Sequence, residues 1–328
     1  MRKCDIGGQA VLEGVMMRAP SSMAIAVRRC DGEIVVRSQR LSSLKDKHRI
    51  FKLPVIRGII TFAETLVMGI KSLMASAEMC DDPSAAQEYQ PSRLERFVAD
   101  KTGKNVEDVM TWFALLLAIG LAIALFVVAP AVLTGFLRQW IAHKAVLGLT
   151  EGIIRLVIFI GYIVLMTRIK DIQRVFQYHG AEHKVIHCYE HGEELSIENA
   201  RKYSTLHPRC GTAFLLVVMV VGIVAFSVLG WDNVVVRILI KLLLLPLVAG
   251  VSYEIIKWAG RTTWRGVKFI MFPGLMLQKL TTREPDDAQL EVAIRAFVQA
   301  AGLNGKEAED AAEGDGSTKE GTEDFGVS

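Results

Sequence analysis

Charged residues are scarce in this chain and are missing altogether from two long stretches. They make up 22% of the 328 residues, and the 38 basic side chains nearly balance the 35 acidic ones, which leaves a net charge of +3. A charge this small excludes the strongly basic surface that nucleic-acid binding requires. The apolar share of 51% excludes intrinsic disorder for the bulk of the chain.

Cysteines are few and widely separated, at positions 4, 30, 80, 188 and 210. Small disulfide-stabilised domains carry many closely spaced cysteines, so this spacing predicts reduced thiols and no disulfide framework. Residues 1–8 also lack the apolar run of an export signal, and no cleaved signal peptide is expected.

The two uncharged stretches are long enough to cross a membrane. Between Asp108 and Arg138 lie 29 uncharged residues, and between Arg209 and Asp232 lie 22. The hydrocarbon core of a bilayer is about 30 Å thick, which a helix of about 20 apolar residues spans. The sequence therefore predicts an integral membrane protein of mostly α fold, a polytopic helical bundle with about four transmembrane helices.

The predicted spanning helices cover residues 110–137, 146–167, 212–230 and 234–254. The second contains Glu151 and Arg155 one turn apart, and the fourth contains Arg237 and Lys241. Charges at membrane depth are costly and are usually paired or functional. One interpretation pairs them across the bundle, for example Glu151 with Lys241. The other places them in water at the outer interface.

The N-terminal residues favour β structure. Two β-rich runs, 23–29 and 34–39, flank Asp31-Gly32, a dipeptide typical of hairpin turns. Residues 7–18 are a candidate for a further strand. Residues 53–78 have a polar stripe at spacings of 3 and 4, which predicts an amphipathic helix in the membrane interface. The alternative is a fifth, polar-striped membrane helix.

Towards the C-terminus, a short interfacial or re-entrant segment is predicted around Pro273-Gly274. After it, Asp286 or Asp287 can cap a final helix that stops at Gly302. The predicted segments are a β-rich cytoplasmic subdomain (1–52), an amphipathic interfacial helix and connector (53–107), transmembrane helices 1 and 2 (108–168), a cytoplasmic histidine-rich loop (169–211), transmembrane helices 3 and 4 (212–256), an interfacial segment and C-terminal helix (257–303), and a disordered acidic tail (304–328).

Lysine and arginine indicate the orientation. Residues 1–107 hold 17 of them and residues 168–211 hold seven, against two in residues 138–145 and none in residues 231–233. The positive-inside rule then predicts a multi-pass protein with both termini and the 168–211 loop in the cytoplasm.

Four of the seven histidines lie within 13 residues, at positions 179, 183, 187 and 191. A spacing of four puts them on one stripe of a helix, where two histidines one turn apart can clamp a divalent metal. The run from His179 to His183, with Glu182, matches the H-x-x-E-H arrangement of inverted zinc peptidases. There the histidines hold zinc and the glutamate acts as general base. The alternative is a solvated or headgroup-facing histidine stripe on a juxtamembrane helix.

A second cluster, His207-Pro-Arg-Cys210, precedes the third predicted span. The spacing His-x-x-Cys matches half of a mixed zinc site. Together with the two histidines of the H-x-x-E-H motif it offers four ligands. A site with four protein ligands is structural, and one with three and a water is catalytic. The spacing leaves both open. Alternatively, Arg209 and the amides of residues 211–212 bind a phosphate at the helix start.

Polar residues elsewhere are further candidates. Glu254, at the expected cytoplasmic end of the fourth span, is a candidate to ligate the metal or orient a ligand histidine. Alternatively, it is a snorkelling interfacial residue. Glu13, Arg18 and the glycine pair at 7–8 form another polar cluster. Adjacent glycines indicate a close backbone approach, in a sheet corner or under a ligand.

Five segments resemble the bacterial YqhQ family, a membrane family with a domain of unknown function, described as predicted metal-dependent enzymes. These segments are 7–18 (GGQAVLEGVMMR), 178–183 (YHGAEH), 207–212 (HPRCGT), 273–275 (PGL) and 280–285 (LTTREP). The resemblance extends over about residues 3–300. It implies a polytopic bacterial inner-membrane protein with a metal site. It implies no substrate, and His187 and His191 lie outside the matching segments.

The sequence thus predicts a metal-dependent hydrolase acting on a membrane-associated peptide or lipid head group, with zinc as the expected metal. The rivals are a non-catalytic scaffold or assembly factor, whose metal fastens the 168–211 loop, and a transporter, whose membrane charges line a cavity. Membrane lipids are the expected partners, and a homo-oligomer is left open. The candidate residues are Glu182 as base, His179, His183, His207, Cys210 and Glu254 as metal ligands, and Glu13, Arg18, Arg209, Glu151 and Arg155 as further polar candidates.

Overall fold

A computed structural model describes residues 6–41, 51, 53–80, 106–141, 143–208, 210–227, 234–259 and 266–302. The strands are β1 (Gly7–Val11), β2 (Gly14–Arg18), β3 (Ser22–Arg28) and β4 (Ile34–Arg40). The helices are α1 (Ile56–Cys80), α2 (Val106–Ile123), α3 (Ala129–Leu137), α4 (Lys144–Met166), α5 (Lys170–His191), α6 (Ile197–Arg201), α7 (Gly211–Ser227), α8 (Val234–Ala259), α9 (Gly266–Thr281) and α10 (Asp287–Ala301). A π-helical segment, Ala124–Val128, joins α2 to α3.

The four strands form one antiparallel sheet in the order β1-β2-β3-β4. Strands β3 and β4 are the hairpin that the sequence predicted, and Gly32 in its turn has a φ of 91°. Residues 7–18 were expected to give one further strand, but they fold back on themselves and give two. The reversal occurs at Leu12-Glu13, where Glu13 adopts a left-handed φ of 47°, as tight hairpin turns require.

Helices cover both faces of this sheet, because side chains alternate between the faces along each strand. Val15 and Met17 pack in one core with Tyr178 of α5 and Phe297 of α10. Met16, on the opposite face, packs with the C-terminal half of α1. The sheet therefore fixes the position of α5, the helix that carries the histidine stripe.

Within the described residues, four helices are long and apolar enough to cross a membrane. They are Ile56–Cys80, Trp112–Leu137, Lys144–Met166 and Ile238–Ala259. Helix α7 is also apolar but is shorter over its described residues. The first, second and fourth predicted spans coincide with helices of this set. The protein is therefore a mostly helical membrane protein with a small N-terminal sheet.

A buried ionic group connects α4 with α8. Lys241 forms an ion pair with Glu151, as one interpretation of the sequence predicted. Arg155 also contacts Glu151, with 3.2 Å between Nη2 and Oε1. Both Glu151 and Lys241 are buried, so the pair is shielded from water.

Arg155 has a second role beside the π-helical segment. Pro130 has no N–H, so the carbonyl of Phe126, four residues earlier, loses its α-helical donor. Arg155 Nε donates to that carbonyl oxygen over 2.9 Å. A π-helical turn and an arginine thus accommodate a proline that would otherwise disrupt an apolar helix.

The C-terminal part contains two helices, α9 and α10, and the second has the caps that the sequence predicted. Residues around Pro273 belong to helix α9, and the interfacial or re-entrant placement of this segment stays a prediction. Asp286 caps α10 through a capping box with Gln289, and the helix ends at Gly302 in a left-handed conformation. The predicted acidic tail, 304–328, lies outside the described residues.

The chain divides into two compact units. The first consists of Met1–Asp82, Ile163–Val218 and Pro246–Ser328, and the second of Pro83–Tyr162 and Met219–Leu245. The sheet and all of α5 belong to the first unit. The group formed by Glu151, Arg155 and Lys241 belongs to the second.

Candidate metal centre

The histidine stripe lies on α5, as its spacing predicted. Asp171 in the first turn and His191 in the last complement the helix dipole. The helix stops at Gly192, whose φ of 77° is one that glycine adopts without strain. His179 and His183 lie one turn apart, with ring centroids separated by 4.5 Å.

The end of α9 orients His179. Its Nδ1 lies 2.8 Å from the carbonyl oxygen of Thr281. Since a carbonyl only accepts, Nδ1 carries the proton and Nε2 keeps its lone pair. That Nε2 lies 3.1 Å from Cys210 Sγ. The chain segment that contains Thr281 can lie this close to α5 only because residue 180 is glycine. A Cβ there would lie 2.1 Å from the carbonyl oxygen of Arg283.

His183 is held in the same way by the loop after α6. Its Nδ1 lies 2.5 Å from the carbonyl oxygen of Thr205, so its lone pair is also on Nε2. The ring is 1% exposed, and Nε2 is buried without a hydrogen-bond partner. Buried polar atoms without partners are rare and costly, so this nitrogen calls for an explanation.

His179, His183 and Cys210 form a cluster of three donors, here called the first cluster. One ligand atom from each residue lies within 4.8 Å of the others. Cys210 stands directly before α7, and the Thr212 N–H points at its sulfur over 3.4 Å. Two imidazole nitrogens and one thiol sulfur are a donor set that fits zinc. With Cys30 and Cys188, Cys210 is outside any disulfide, as predicted.

Glu182 lies beside the first cluster but faces the sheet. Its carboxylate accepts the Gly8 N–H, and burial raises its pKa, an effect that nearby His179 and the Gly8 bond partly offset. A Cβ on Gly8 would lie 2.9 Å from Glu182 Cδ. The close approach that the glycine pair predicted is therefore at Gly8, while Gly7 has open space around it.

His207 does not join Cys210 in the first cluster, although the sequence grouped them. It lies with His187 and Glu190, and ligand atoms of these three residues are within 4.8 Å of one another. We call them the second cluster. Burial, His187 and His183 together lower the pKa of His207 to about 3. The sequence analysis gave no role to Glu190, although it lies three residues after His187 on the same stripe.

Two polar side chains that the sequence analysis missed fix the loop between α6 and α7. Gln278 of α9 donates to the His207 carbonyl over 2.8 Å and accepts the His207 N–H over 2.9 Å. Lys184 Nζ, buried on α5, donates to the Tyr203 carbonyl over 2.7 Å and pairs with Glu284 over 2.6 Å. Only their burial distinguishes them, and burial is not visible in a single sequence.

The structure does not bring Glu254 to the histidines. Neither donor cluster among the described residues includes it. Its carboxylate pairs instead with Arg57 of α1, with 2.6 Å between Nε and Oε1. Arg57 belongs to the polar stripe predicted for residues 53–78, and its pairing with Glu254 of α8 was not predicted.

The other polar candidates also lie outside the first cluster. Glu13 forms an ion pair with Arg174, which raises the pKa of that guanidinium. Arg18 lies 3.8 Å from Glu64 of α1. Arg209 is outside the described residues. These ion pairs join the sheet to α5 and α1.

Comparisons with known proteins identify the family. The model of a family described as "Protein of unknown function (DUF1385)" matches residues 53–302. "Uncharacterized protein YqhQ" of Bacillus subtilis (strain 168) is 34% identical over 303 residues, which cover 89% of this chain and 90% of that protein. No solved structure matches the chain significantly. The chain therefore belongs to the DUF1385 family, and the resemblance to YqhQ that its motifs predicted is confirmed.

Proposed function

We propose that this protein is a membrane-bound metal-dependent hydrolase whose zinc is held by the first cluster, His179, His183 and Cys210. The observation that carries the proposal is the buried, unpartnered Nε2 of His183, which lies among the two other donors. Both histidines donate a hydrogen bond from Nδ1–H to a backbone carbonyl. This second hydrogen bond is typical of imidazoles that ligate zinc.

Among the described residues the first cluster has three donors, and this number favours catalysis. Structural zinc sites have four protein ligands, whereas catalytic sites have three and keep one position open. A zinc ion held by the first cluster supplies Lewis-acid polarisation for hydrolysis. Glu182 precedes His183 on the helix, and its carboxylate is steadied by the Gly8 N–H. It is the side chain that would accept a proton from the attacking water.

A purely structural metal has less support. In the scaffold hypothesis, the metal stabilises the loop between α6 and α7. Lys184 and Gln278 already fasten that loop by hydrogen bonds to its backbone. The transporter hypothesis requires charges that line a cavity. Glu151 and Lys241 are instead buried in contact with each other.

Substituting His183 tests the metal assignment. His183→Ala removes the buried Nε2 donor, so the purified protein should lose one equivalent of zinc per chain. His191→Ala is the matched control, because this histidine shares the stripe but is exposed and belongs to neither cluster. Elemental analysis of detergent-purified protein measures the difference. Equal zinc in His183→Ala and wild type would contradict the assignment.

The sheet also constrains the membrane topology. The sheet, α5 and α10 share one core, so they lie on the same side of the membrane. The chain must therefore cross an even number of times between the sheet and α5, and again between α5 and α10. In the part of the chain that the structure describes, three helices before α5 are long enough to cross, Ile56–Cys80, Trp112–Leu137 and Lys144–Met166. With an even number of crossings among these three, at least one of them does not cross.

From its contacts we infer that α1 is the helix that stays on one face of the membrane. Arg57 pairs with Glu254 near the end of α8, and the Phe62 ring lies 5.9 Å from Phe214 at the start of α7. The last turns of α1 pack on the sheet, where Ser76 Oγ accepts the Leu12 N–H. We place all three contacts at the face of the membrane that carries the sheet. The four crossing segments are then α2–α3, α4, α7 and α8.

We assign the sheet and the metal centre to the cytoplasmic face of the bacterial inner membrane, because lysine and arginine are concentrated there. A membrane-impermeant maleimide applied to intact cells should label Gln139→Cys, which is exposed between α3 and α4. It should leave Cys30, exposed next to β3, unlabelled until the cells are permeabilised. Labelling of Cys30 in intact cells would overturn the orientation.

A further inference from the structure

The second cluster has a geometry of its own. His207 Nε2 lies 3.5 Å from Glu190 Oε2, and the rings of His187 and His207 have centroids 4.6 Å apart. Glu190 and His207 are each only 4% exposed. A carboxylate and two imidazoles thus converge at one buried point in the same unit as the first cluster.

Hydrogen bonds hold the ring of His187 and the backbone of His207. His187 Nε2 lies 2.9 Å from the carbonyl oxygen of Leu206, so Nε2 carries the proton and Nδ1 keeps the lone pair. Gln278 holds the backbone of His207 on both its N–H and its carbonyl. The donors are therefore oriented before any ligand binds, as in a preformed metal site.

We propose that His187, Glu190 and His207 form a second divalent-metal site, distinct from the first cluster. Two histidines and one glutamate are the ligands of several zinc enzymes, and the same donor types also suit iron and manganese. If Glu190 and His207 met only to form a hydrogen bond, His187 would not need to lie with them. His187 does lie with them and offers a third ligand atom. The site requires neither the hydrolase activity nor occupancy of the first cluster.

The two clusters take their donors from the same two segments of chain. Helix α5 gives His179 and His183 to the first cluster, then His187 and Glu190 to the second. The turn before α7 gives Cys210 to the first and His207 to the second. The rings of His183 and His207 lie 5.7 Å apart between centroids, so the two sites are neighbours.

Cobalt(II) distinguishes the sites, because sulfur is a donor only in the first cluster. A thiolate bound to cobalt gives a charge-transfer band that nitrogen and oxygen ligands do not give. The wild-type apoprotein should bind two equivalents of cobalt and develop this band. Glu190→Gln and His187→Ala should each bind one equivalent and keep the band. Cys210→Ser should also bind one equivalent but lose it.

The retained band shows that Glu190→Gln and His187→Ala are folded. Glu198→Gln is the matched control, because this exposed carboxylate on α6 is in neither cluster, and it should bind two equivalents. Two equivalents in both Glu190→Gln and His187→Ala would overturn the second site. One equivalent with the band in wild type would overturn the second site and leave the first. One equivalent without the band in wild type would overturn the first and leave the second.

Discussion

Glu182→Gln is expected to lower hydrolysis by about 10²–10⁴-fold, the usual contribution of a positioned general base, without loss of zinc. The amide keeps the size of the side chain, and its carbonyl oxygen can still accept the Gly8 N–H that now meets the carboxylate. It cannot accept a proton from water. The first cluster does not contain Glu182, so metal binding should persist.

The measurement is complementation of a deletion strain at matched expression, with zinc determined on the same purified protein. Glu193→Gln, an exposed substitution just after α5, is the control and should complement like wild type. Glu182→Gln should fail while retaining zinc. Full complementation by Glu182→Gln would remove the hydrolase hypothesis and leave a structural metal.

Glu151→Gln should destabilise the second unit more than any other single change in its ionic group. Glu151 contacts both Arg155 and Lys241, so its loss leaves two buried cations without that carboxylate. Breaking a buried ion pair by removing one partner costs about 3–5 kcal/mol. Lys241→Met should lower the free energy of unfolding clearly less, because one glutamate and one arginine then remain and their charges cancel.

Thermal unfolding of the detergent-solubilised protein tests this order. The Tm of Glu151→Gln should fall furthest, Lys241→Met should lie between, and Thr150→Ala, beside Glu151 on α4, should stay near wild type. If Lys241→Met has a Tm as low as Glu151→Gln, the carboxylate does not balance the two cations as described.

Much of the fold follows from local patterns in the sequence. Uncharged runs predicted the membrane helices, Asp31-Gly32 predicted the β3–β4 hairpin, and Asp286 was one of two residues predicted to cap α10. Each of these signals acts within a few residues or along one helix. The second hairpin was missed because its turn, Leu12-Glu13, contains no glycine or asparagine. The sequence did not predict that Pro273 lies inside a continuous helix, because proline normally interrupts helices.

The candidate site was only partly accessible from sequence. The H-x-x-E-H motif identified His179, His183 and Glu182 because helix periodicity alone aligns them. The division of ligands into two clusters depends on the path of the loop between α6 and α7, which Lys184 and Gln278 fix across long sequence distances. For the same reason the sequence grouped His207 with Cys210 and did not single out Glu190. Glu254 was misjudged because its partner, Arg57, lies far away in the chain.

The most direct test of the account is X-ray absorption at the zinc edge on the purified protein. The first cluster predicts a zinc–sulfur distance of about 2.3 Å and zinc–nitrogen distances of about 2.0–2.1 Å, with the sulfur signal absent in Cys210→Ser. Protein that retains no zinc, or a wild-type spectrum without sulfur and identical to that of Cys210→Ser, would contradict a metal centre built on His179, His183 and Cys210.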